Sequence, residues 1–398
     1  MPKQRLKKKL YFDYAASTPI HPKVLAAMKP YVTSAFGNPG SVHSFGQEAM
    51  NAIDKAREDI ASAIGAQFRE VIFTSGATEA NNLVLRGVVE NYLRTKKGSV
   101  KPNIIISAIE HESIAETARD LERAGKIELT VIPVDKRGVI DFKSFEAALN
   151  ERTILVSCMY VNNEIGTLEP IKKISEHVRA FRTTSQFPLI HTDAAQAFIY
   201  FDCNIDKLGV DFMTLSAHKM NGPKGVGALY IRKNSPLDSM VTGGGQEFGL
   251  RSGTENVPAI VGCKEAVRLA ENSRQRNVGR LRVIAKLMFR ELKRIHPGVE
   301  INGAELSNDL DRSPHIMNVY LPGVSVEELL TMLDLRGVAL SAGSACAARS
   351  LEPSPIIRAL GHSEERARSS IRVSFGSETK AEDIRLLTRI LKEVLRKT

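Results

Sequence analysis

The sequence predicts an α/β protein, with a mostly parallel sheet in a large domain and a smaller α+β domain after it. Two observations predict this. From about residue 50 to 260, short apolar runs alternate with helical patterns, as expected of βα units whose strands are covered on both faces. Beyond about residue 260 the alternation stops, and a long helical pattern over 260–296 leads into a mixed segment that runs to the C-terminus. The large domain is therefore placed at 20–260 and the small one at 261–398, joined by residues 1–19.

Taken in order, residues 70–75 read as a strand, and Gly76-Ala77-Thr78 opens a helix over 79–94. A strand at 103–107 precedes a helix over 113–124. Further strands are expected at 131–134 and 153–161. A helix over 171–182 leads to a strand at 188–193, and strands at 212–216 and 227–231 complete the set. In such sheets ligands bind beyond the carboxyl ends of the strands, and most of the unusual residues of this chain fall there.

The bulk numbers bound the function. The chain has 398 residues, 43% hydrophobic and 25% charged, an ordinary globular composition. Much of the formal net charge of +10 sits in Lys3, Arg5, Lys7, Lys8, Lys9, Arg396 and Lys397. No aromatic-interleaved basic patch accompanies it, so solvated ends are expected and not a nucleic-acid site. No apolar run approaches the ~20 residues of a membrane span, and the N-terminus has no apolar signal core, so a cytoplasmic protein is expected. Cys158, Cys203, Cys263 and Cys346 lie far apart with no C-x-x-C pair, against a zinc site or a disulfide framework. No metal-ligand set is visible. Cys158 reads as a buried strand thiol and Cys263 as helix packing.

Several strand-end residues carry chemistry. Ser216-Ala217-His218-Lys219 ends one strand ahead of a Gly/Pro-rich turn. A lysine there can serve as a covalent amine when its surroundings lower its pKa; a surface-turn lysine is the plain alternative, and Lys224 is a local competitor. Asp193 ends the preceding strand, where a carboxylate can pair with a protonated ring nitrogen or simply cap a helix. Gly76-Ala77-Thr78 forms a strand–helix junction whose free N–H groups suit a phosphate, with no nucleotide-binding glycine motif. His111 follows another strand and could stack on an aromatic ring or move protons. Asn162 and Asn163 close the strand after it. Arg372, on a strand-like run, has the fork that clamps carboxylates. Cys346 stands in Ser341-Ala342-Gly343-Ser344-Ala345-Cys346-Ala347-Ala348-Arg349-Ser350, a loop of small residues suited to moving a thiol between a buried donor and an outside acceptor.

Taken in sequence order, Tyr11-Phe12-Asp13-Tyr14, Gly37-Asn38-Pro39, Thr74-Ser75-Gly76-Ala77-Thr78-Glu79, Glu110-His111, Asn162-Asn163-Glu164-Ile165-Gly166, Ser216-x-His218-Lys219, Arg251-Ser252-Gly253-Thr254, Gly343-Ser344-Ala345-Cys346 and Ser370-Ile371-Arg372 form a pattern. It resembles, over nearly the whole chain, the cysteine desulfurases of the IscS/NifS type, class-V aminotransferase-like pyridoxal-phosphate enzymes. The resemblance implies the type I fold of pyridoxal-phosphate transferases. It further implies that Lys219 holds pyridoxal 5'-phosphate covalently, Asp193 faces its pyridine nitrogen, Gln196 touches its ring hydroxyl and His111 stacks over it. Ala77, Thr78, Ser216 and His218 would hold the phosphate, with Thr254 reaching across a homodimer to the partner's cofactor. Asn163 would border cofactor and substrate, and Arg372 with Asn38 would bind the carboxylate of L-cysteine. Cys346 would take the sulfur as a persulfide and pass it to an acceptor protein for iron–sulfur cluster assembly or thiolation, leaving alanine.

Two departures from the family pattern bear on the acceptor. Cys346 is followed by Ala347-Ala348-Arg349, where many relatives have smaller hydroxyl residues, and the chain stops at Thr398, where scaffold-donating relatives often continue into a tail. A selenocysteine lyase or an aminotransferase of the same fold, and a non-catalytic protein that kept the fold, are the rival readings.

Overall fold

The computed structural model describes residues 9–96, 100–182, 186–307, 311–343 and 353–396. The chain opens with β1 (Leu10–Tyr11), α1 (Pro22–Thr33) and α2 (Ser44–Ile64). His21 and His43 cap the two helices by accepting from the Lys23 and Gly46 N–H groups. Ala49, Ile53, Ala56 and Ile60 form the buried stripe of α2, at the spacing of one helix face.

Seven strands then build the main sheet: β2 (Val71–Thr74), β3 (Asn103–Ser107), β4 (Glu128–Ile132), β5 (Thr153–Ser157), β6 (Leu189–Asp193), β7 (Phe212–Ser216) and β8 (Gly227–Ile231). Their spatial order is β2-β8-β7-β6-β5-β3-β4. β8 runs antiparallel to both neighbours, and the other pairings in this sheet are parallel. The expected mostly parallel α/β sheet is therefore present. Successive side chains of a strand face opposite sides, and here both sides are apolar. Val71 and Phe73 join one core cluster while Ile72 joins the other, and Ile105 is likewise opposed to Ile104 and Ile106. The connecting helices are α3 (Ala77–Thr95), α4 (Glu112–Arg123), α5 (Phe142–Ala148), α6 (Ile171–Phe181) and α7 (Ile205–Leu208).

The long helix α8 (Val257–Ile295) follows, then β9 (Glu300–Asn302), β10 (Ile316–Tyr320), α9 (Val326–Asp334), β11 (Val338–Ala339), α10 (Pro355–Ala359), α11 (Glu364–Arg368), β12 (Ser370–Ser374) and α12 (Ala381–Leu395). β12, β10 and β9 form a second, antiparallel sheet in that order. β1 pairs in parallel with β11, so the N-terminal segment is tied to chain more than 320 residues away.

Two expected strands shift. The one placed at 131–134 is β4, Glu128–Ile132. The run over 153–161 forms β5 only to Ser157. Cys158 and Tyr160 still donate to the His191 and Asp193 carbonyls, but Val161 turns away to bridge Leu168.

A buried ion pair joins α2 to the turn before α8. Arg57 donates to both Glu247 carboxylate oxygens at 2.6 and 3.0 Å, and the Phe73 N–H adds a third bond at 2.9 Å. Glu247 and Phe248 hold φ values of 49° and 58°, a left-handed conformation that costs non-glycine residues energy unless the surroundings hold it. The side chains of the pair are only 5% and 2% exposed. Glu247→Gln leaves a buried guanidinium without its counter-charge and should cost about 3–5 kcal/mol, measured by urea unfolding. Asp120→Asn, which breaks the exposed Arg86–Asp120 pair, should cost under about 1 kcal/mol in the same assay.

Candidate active site

The carboxyl ends of β2, β3, β5, β6 and β7 border one cavity of about 440 Å³. Each end supplies residues from the turn that leaves it: Ser75 to Thr78 after β2, His111 after β3, Met159, Val161 and Asn163 after β5, Asp193 at the tip of β6, and Ser216 to Lys219 after β7. Arg372 of β12 and Ala15 to Ser17 of the N-terminal segment close it.

Lys219 sits on a tight turn after β7. Gly222 permits that turn, since a Cβ there would lie 2.7 Å from the Ala217 carbonyl oxygen. The Lys219 amine donates to the Ala15 and Ala16 carbonyls at 2.6 and 3.0 Å. Ala15 O also accepts from the Gln196 side-chain amide at 2.8 Å. Beside them the buried Ser216 hydroxyl has no hydrogen-bond partner, which leaves it for a ligand. Burial, with Lys219 and Lys224 adding, lowers the His218 pKa to about 4.

Asp193 is held rigidly. Its carboxylate accepts from the Asn81 amide at 2.8 Å and from the Ala195 N–H at 2.9 Å. Asn81 also donates to Ser113 at 2.9 Å. His111 caps α4 through Nδ1, which accepts from the Ser113 N–H at 3.1 Å. The neutral tautomer fixed by that bond carries its proton on Nε2. Burial lowers the His111 pKa below its ordinary value, against the opposing pull of Asp193.

The N-terminus of α3 faces the same cavity through Gly76, Ala77 and Thr78. Its first-turn N–H groups lack intrahelical acceptors, and the helix dipole makes them a site for an anion. Gly76 holds φ at 152° with open space where a Cβ would stand. Glu79, the acid of that first turn, is drawn aside by Arg251 at 2.8 Å.

Arg372, 1% exposed, donates to Asp13 at 2.8 Å and to the Asn163 carbonyl at 2.8 Å. Its Nε has no partner.

Of the residues singled out in the sequence, Ala77, Thr78, His111, Asn163, Asp193, Gln196, Ser216, His218, Lys219 and Arg372 line this cavity. Asn38 and Thr254 are exposed and are not among the residues that line it. Cys346 and Ala347-Ala348-Arg349 lie outside the described residues. On the near side of that stretch, Ser341 exchanges backbone hydrogen bonds with Arg372. Cys158, Cys203 and Cys263 are buried. Burial pushes the Cys203 and Cys263 thiols up to about 12 and the Cys158 thiol well above its ordinary value. Among the described residues no cluster of His, Cys, Asp and Glu is arranged to hold a metal ion.

Sequence reasoning passed over Asn81, Ser113 and the counter-charge role of Asp13. Asp13 had a signal, a lone carboxylate inside Tyr11-Phe12-Asp13-Tyr14. Asn81 and Ser113 had none, being single polar residues within helical patterns.

Comparison with known proteins follows the same lines. Residues 10–387 match the aminotransferase class-V family. The chain is 42% identical to the cysteine desulfurase IscS of Dictyoglomus turgidum, over 98% of this chain and 96% of that one. Among solved structures it resembles a NifS-like protein with a TM-score of 0.89 and 32% identity, covering 98% and 100% of the two chains. It also resembles SspA in complex with cysteine, with a TM-score of 0.77 and 36% identity, covering 92% and 99%.

The site rests on buried titratable groups whose effects on stability oppose each other. Burial lowers His191 to about 4, as it does His218. Both stay neutral when folded while the unfolded chain takes up protons near the ordinary 6.5, so stability is lost as pH falls below that value. Glu110 and Glu169 behave in the opposite sense. Burial raises each to about 8, so the folded state keeps a proton that the unfolded chain gives up near 4.5, and stability falls as pH rises through 8. The two effects cancel between about pH 4.5 and 6.5, so urea midpoints measured across pH should be level there and fall from pH 6.5 to about 8. Replacing both Glu110 and Glu169 by Gln should remove the fall above pH 6.5 and uncover a loss of stability as pH drops from 6.5 toward 4.

Proposed function

The chain belongs to the cysteine desulfurases of the aminotransferase class-V family, and from that premise we propose the part each residue takes in removing sulfur from L-cysteine. The observation that carries the reading is that Lys219, Asp193, Arg372 and the N-terminus of α3 line one cavity. These groups fit pyridoxal phosphate. The unpartnered Ser216 hydroxyl, His218 and the first-turn N–H groups at Ala77 and Thr78 suit its phosphate. The Asp193 carboxylate suits a protonated ring nitrogen, Gln196 suits the ring hydroxyl, and the His111 imidazole suits the ring face. Bound there, the cofactor supplies the electron sink that makes the Cα proton of the substrate removable and its sulfur transferable.

The chain's own residues do the rest. Arg372, with Asn163 and Asn38, takes the substrate carboxylate, for which its two-pronged donor set is matched. The Lys219 amine, once released from the cofactor, takes the Cα proton. Neutral His111 holds a proton at Nε2 for exchange with the substrate. The Cys346 thiolate then attacks the substrate sulfur. A sulfur–sulfur bond forms as the carbon–sulfur bond breaks, the electron pair stays with the carbon, and reprotonation yields alanine. The persulfide sulfur passes to an acceptor protein of cluster assembly or thiolation in the cytoplasm. The reading of Cys346 is supported by the state of the other three thiols, which burial keeps protonated and unreactive.

The same reading makes the enzyme a homodimer. Residues 20–260 form the cofactor-holding domain, and 1–19 with 261–398 form the domain that brings Arg372 to it. Thr254 serves across the dimer interface, while Asn38 stays with Arg372 and Asn163 at the substrate carboxylate. Supporting this, exposed apolar side chains flank both: Phe36, Val42 and Phe45, 71%, 90% and 51% exposed, lie near Asn38 in sequence, and Phe248, 46% exposed, lies near Thr254. Such patches mark association surfaces.

The test is release of sulfide and alanine from L-cysteine with a reductant present. Wild type should yield the two in equal amounts. Cys346→Ala should lose sulfide release and keep the visible cofactor band, whereas Lys219→Ala should lose the covalent band itself. A Cys346→Ala enzyme that releases sulfide at the wild-type rate would remove Cys346 from the mechanism.

A further inference from the structure

Behind Gln196 lies a histidine for which the reaction above has no use. His315 precedes β10 and is 3% exposed. Its Nε2 stands 3.1 Å from Gln196 Oε1, and its Nδ1 meets the Ser313 hydroxyl. Its ring stacks on Tyr200 with centroids 4.2 Å apart and planes inclined by 27°. The Gln196 amide nitrogen meets the Ala15 carbonyl at 2.8 Å, and the Lys219 amine meets the same carbonyl at 2.6 Å.

The proton positions along this chain are forced. Ala15 O can only accept, so Gln196 presents its NH₂ to that side and its oxygen to His315. His315 then donates from Nε2, and in the neutral ring its Nδ1 accepts from the Ser313 hydroxyl. The imidazole is neutral in that arrangement. The charged groups that bear on it are Arg372 and Lys219, both cationic, and together with burial they keep it so.

We propose that His315 is a positioning residue that fixes the orientation of the Gln196 amide, so that its NH₂ and not its oxygen faces the cofactor ring oxygen. The inference rests on the cofactor reading above. A Gln amide is close to symmetric in shape, and its two ends differ only in what they hydrogen-bond. Turned the other way, Gln196 would set an oxygen against an oxygen that carries negative charge. His315 opposes that orientation, because its ring would have to take the other tautomer and donate from Nδ1 to Ser313, whose hydroxyl would then lose the acceptor it has in His315.

A donor on the ring oxygen disfavours its sharing a proton with the linked Lys219 nitrogen, so the pH midpoint of the visible cofactor band reports on Gln196 directly. Gln196→Leu should raise that midpoint by about one pH unit and weaken retention of the cofactor on dialysis. His315→Phe keeps an aromatic ring against Tyr200 and removes the donor. It should shift the midpoint in the same direction and add nothing in the Gln196→Leu background, since coupled residues fail to add. His315→Gln, which restores an N–H donor at similar reach, should return the midpoint toward wild type and serves also if the Phe variant does not fold.

Absence of any visible band in the wild type overturns the cofactor reading and this proposal with it. A wild-type band that Gln196→Leu shifts and His315→Phe does not overturns the proposal alone. So does a His315→Phe shift of equal size with and without Gln196, which would be the mark of packing on Tyr200.

Discussion

The ion pair between Arg372 and Asp13 joins stretches of chain that lie far apart in sequence, and the site could not be assembled without it. A guanidinium cannot be buried to 1% exposure unless its charge is met. Here Asp13 comes from the N-terminal segment, the Asn163 carbonyl from the turn after β5, and the backbone partner Ser341 from the segment after β11. Satisfying one cation thus brings the second sheet, the first sheet and the N-terminus to the same point. The β1–β11 pairing and the Ser374 hydroxyl, which accepts from the Ala15 N–H at 2.9 Å, hold the N-terminal segment in that place. The Ala15 carbonyl is then available to Lys219 and Gln196.

The parallel sheet accounts for the other half of the cavity. Strands buried on both faces are largely apolar, and ligands bind beyond their carboxyl ends. Asp193 and Lys219 were legible for that reason: one is the last residue of β6, the other lies in the turn after β7, and the two strands are adjacent. The α3 junction was legible from Gly76, whose φ of 152° suits a residue without a side chain. What escaped the sequence was whatever depends on a partner distant along the chain. The reversed direction of β8 belongs here, since a short apolar run carries no mark of its direction. The end of β5 at Ser157 is similar: the run stays apolar to Val161, but Val161 is recruited by Leu168. Asn81 and His315 meet Asp193 and Gln196 across 112 and 119 residues of chain, a contact that only the fold reveals.

The buried glutamates show how much polar cost the fold carries beside its site. Glu110 accepts from Ser107 and from the Met159 N–H through one oxygen, while its other oxygen has no partner. Glu169 likewise leaves one oxygen unmet. Burial keeps both protonated near neutral pH, so Glu110 adds no full negative charge beside Asp193. That matters for the cavity, because a charged Glu110 would raise the proton affinity of Asp193.

Thiol chemistry follows the same logic of burial. A thiol reacts as its thiolate, and a chain that handles sulfur with four cysteines must prevent three of them from competing. Cys158, Cys203 and Cys263 are enclosed in apolar packing that disfavours the charged form. Cys158 is the most exacting case, because it lies just past the end of β5, adjacent in sequence to the cavity residue Met159. Burial holds its thiol protonated, and once Glu169 and Glu110 ionise they oppose its thiolate further. The fold thus sets Cys158, Cys203 and Cys263 apart by environment, each held protonated in the core.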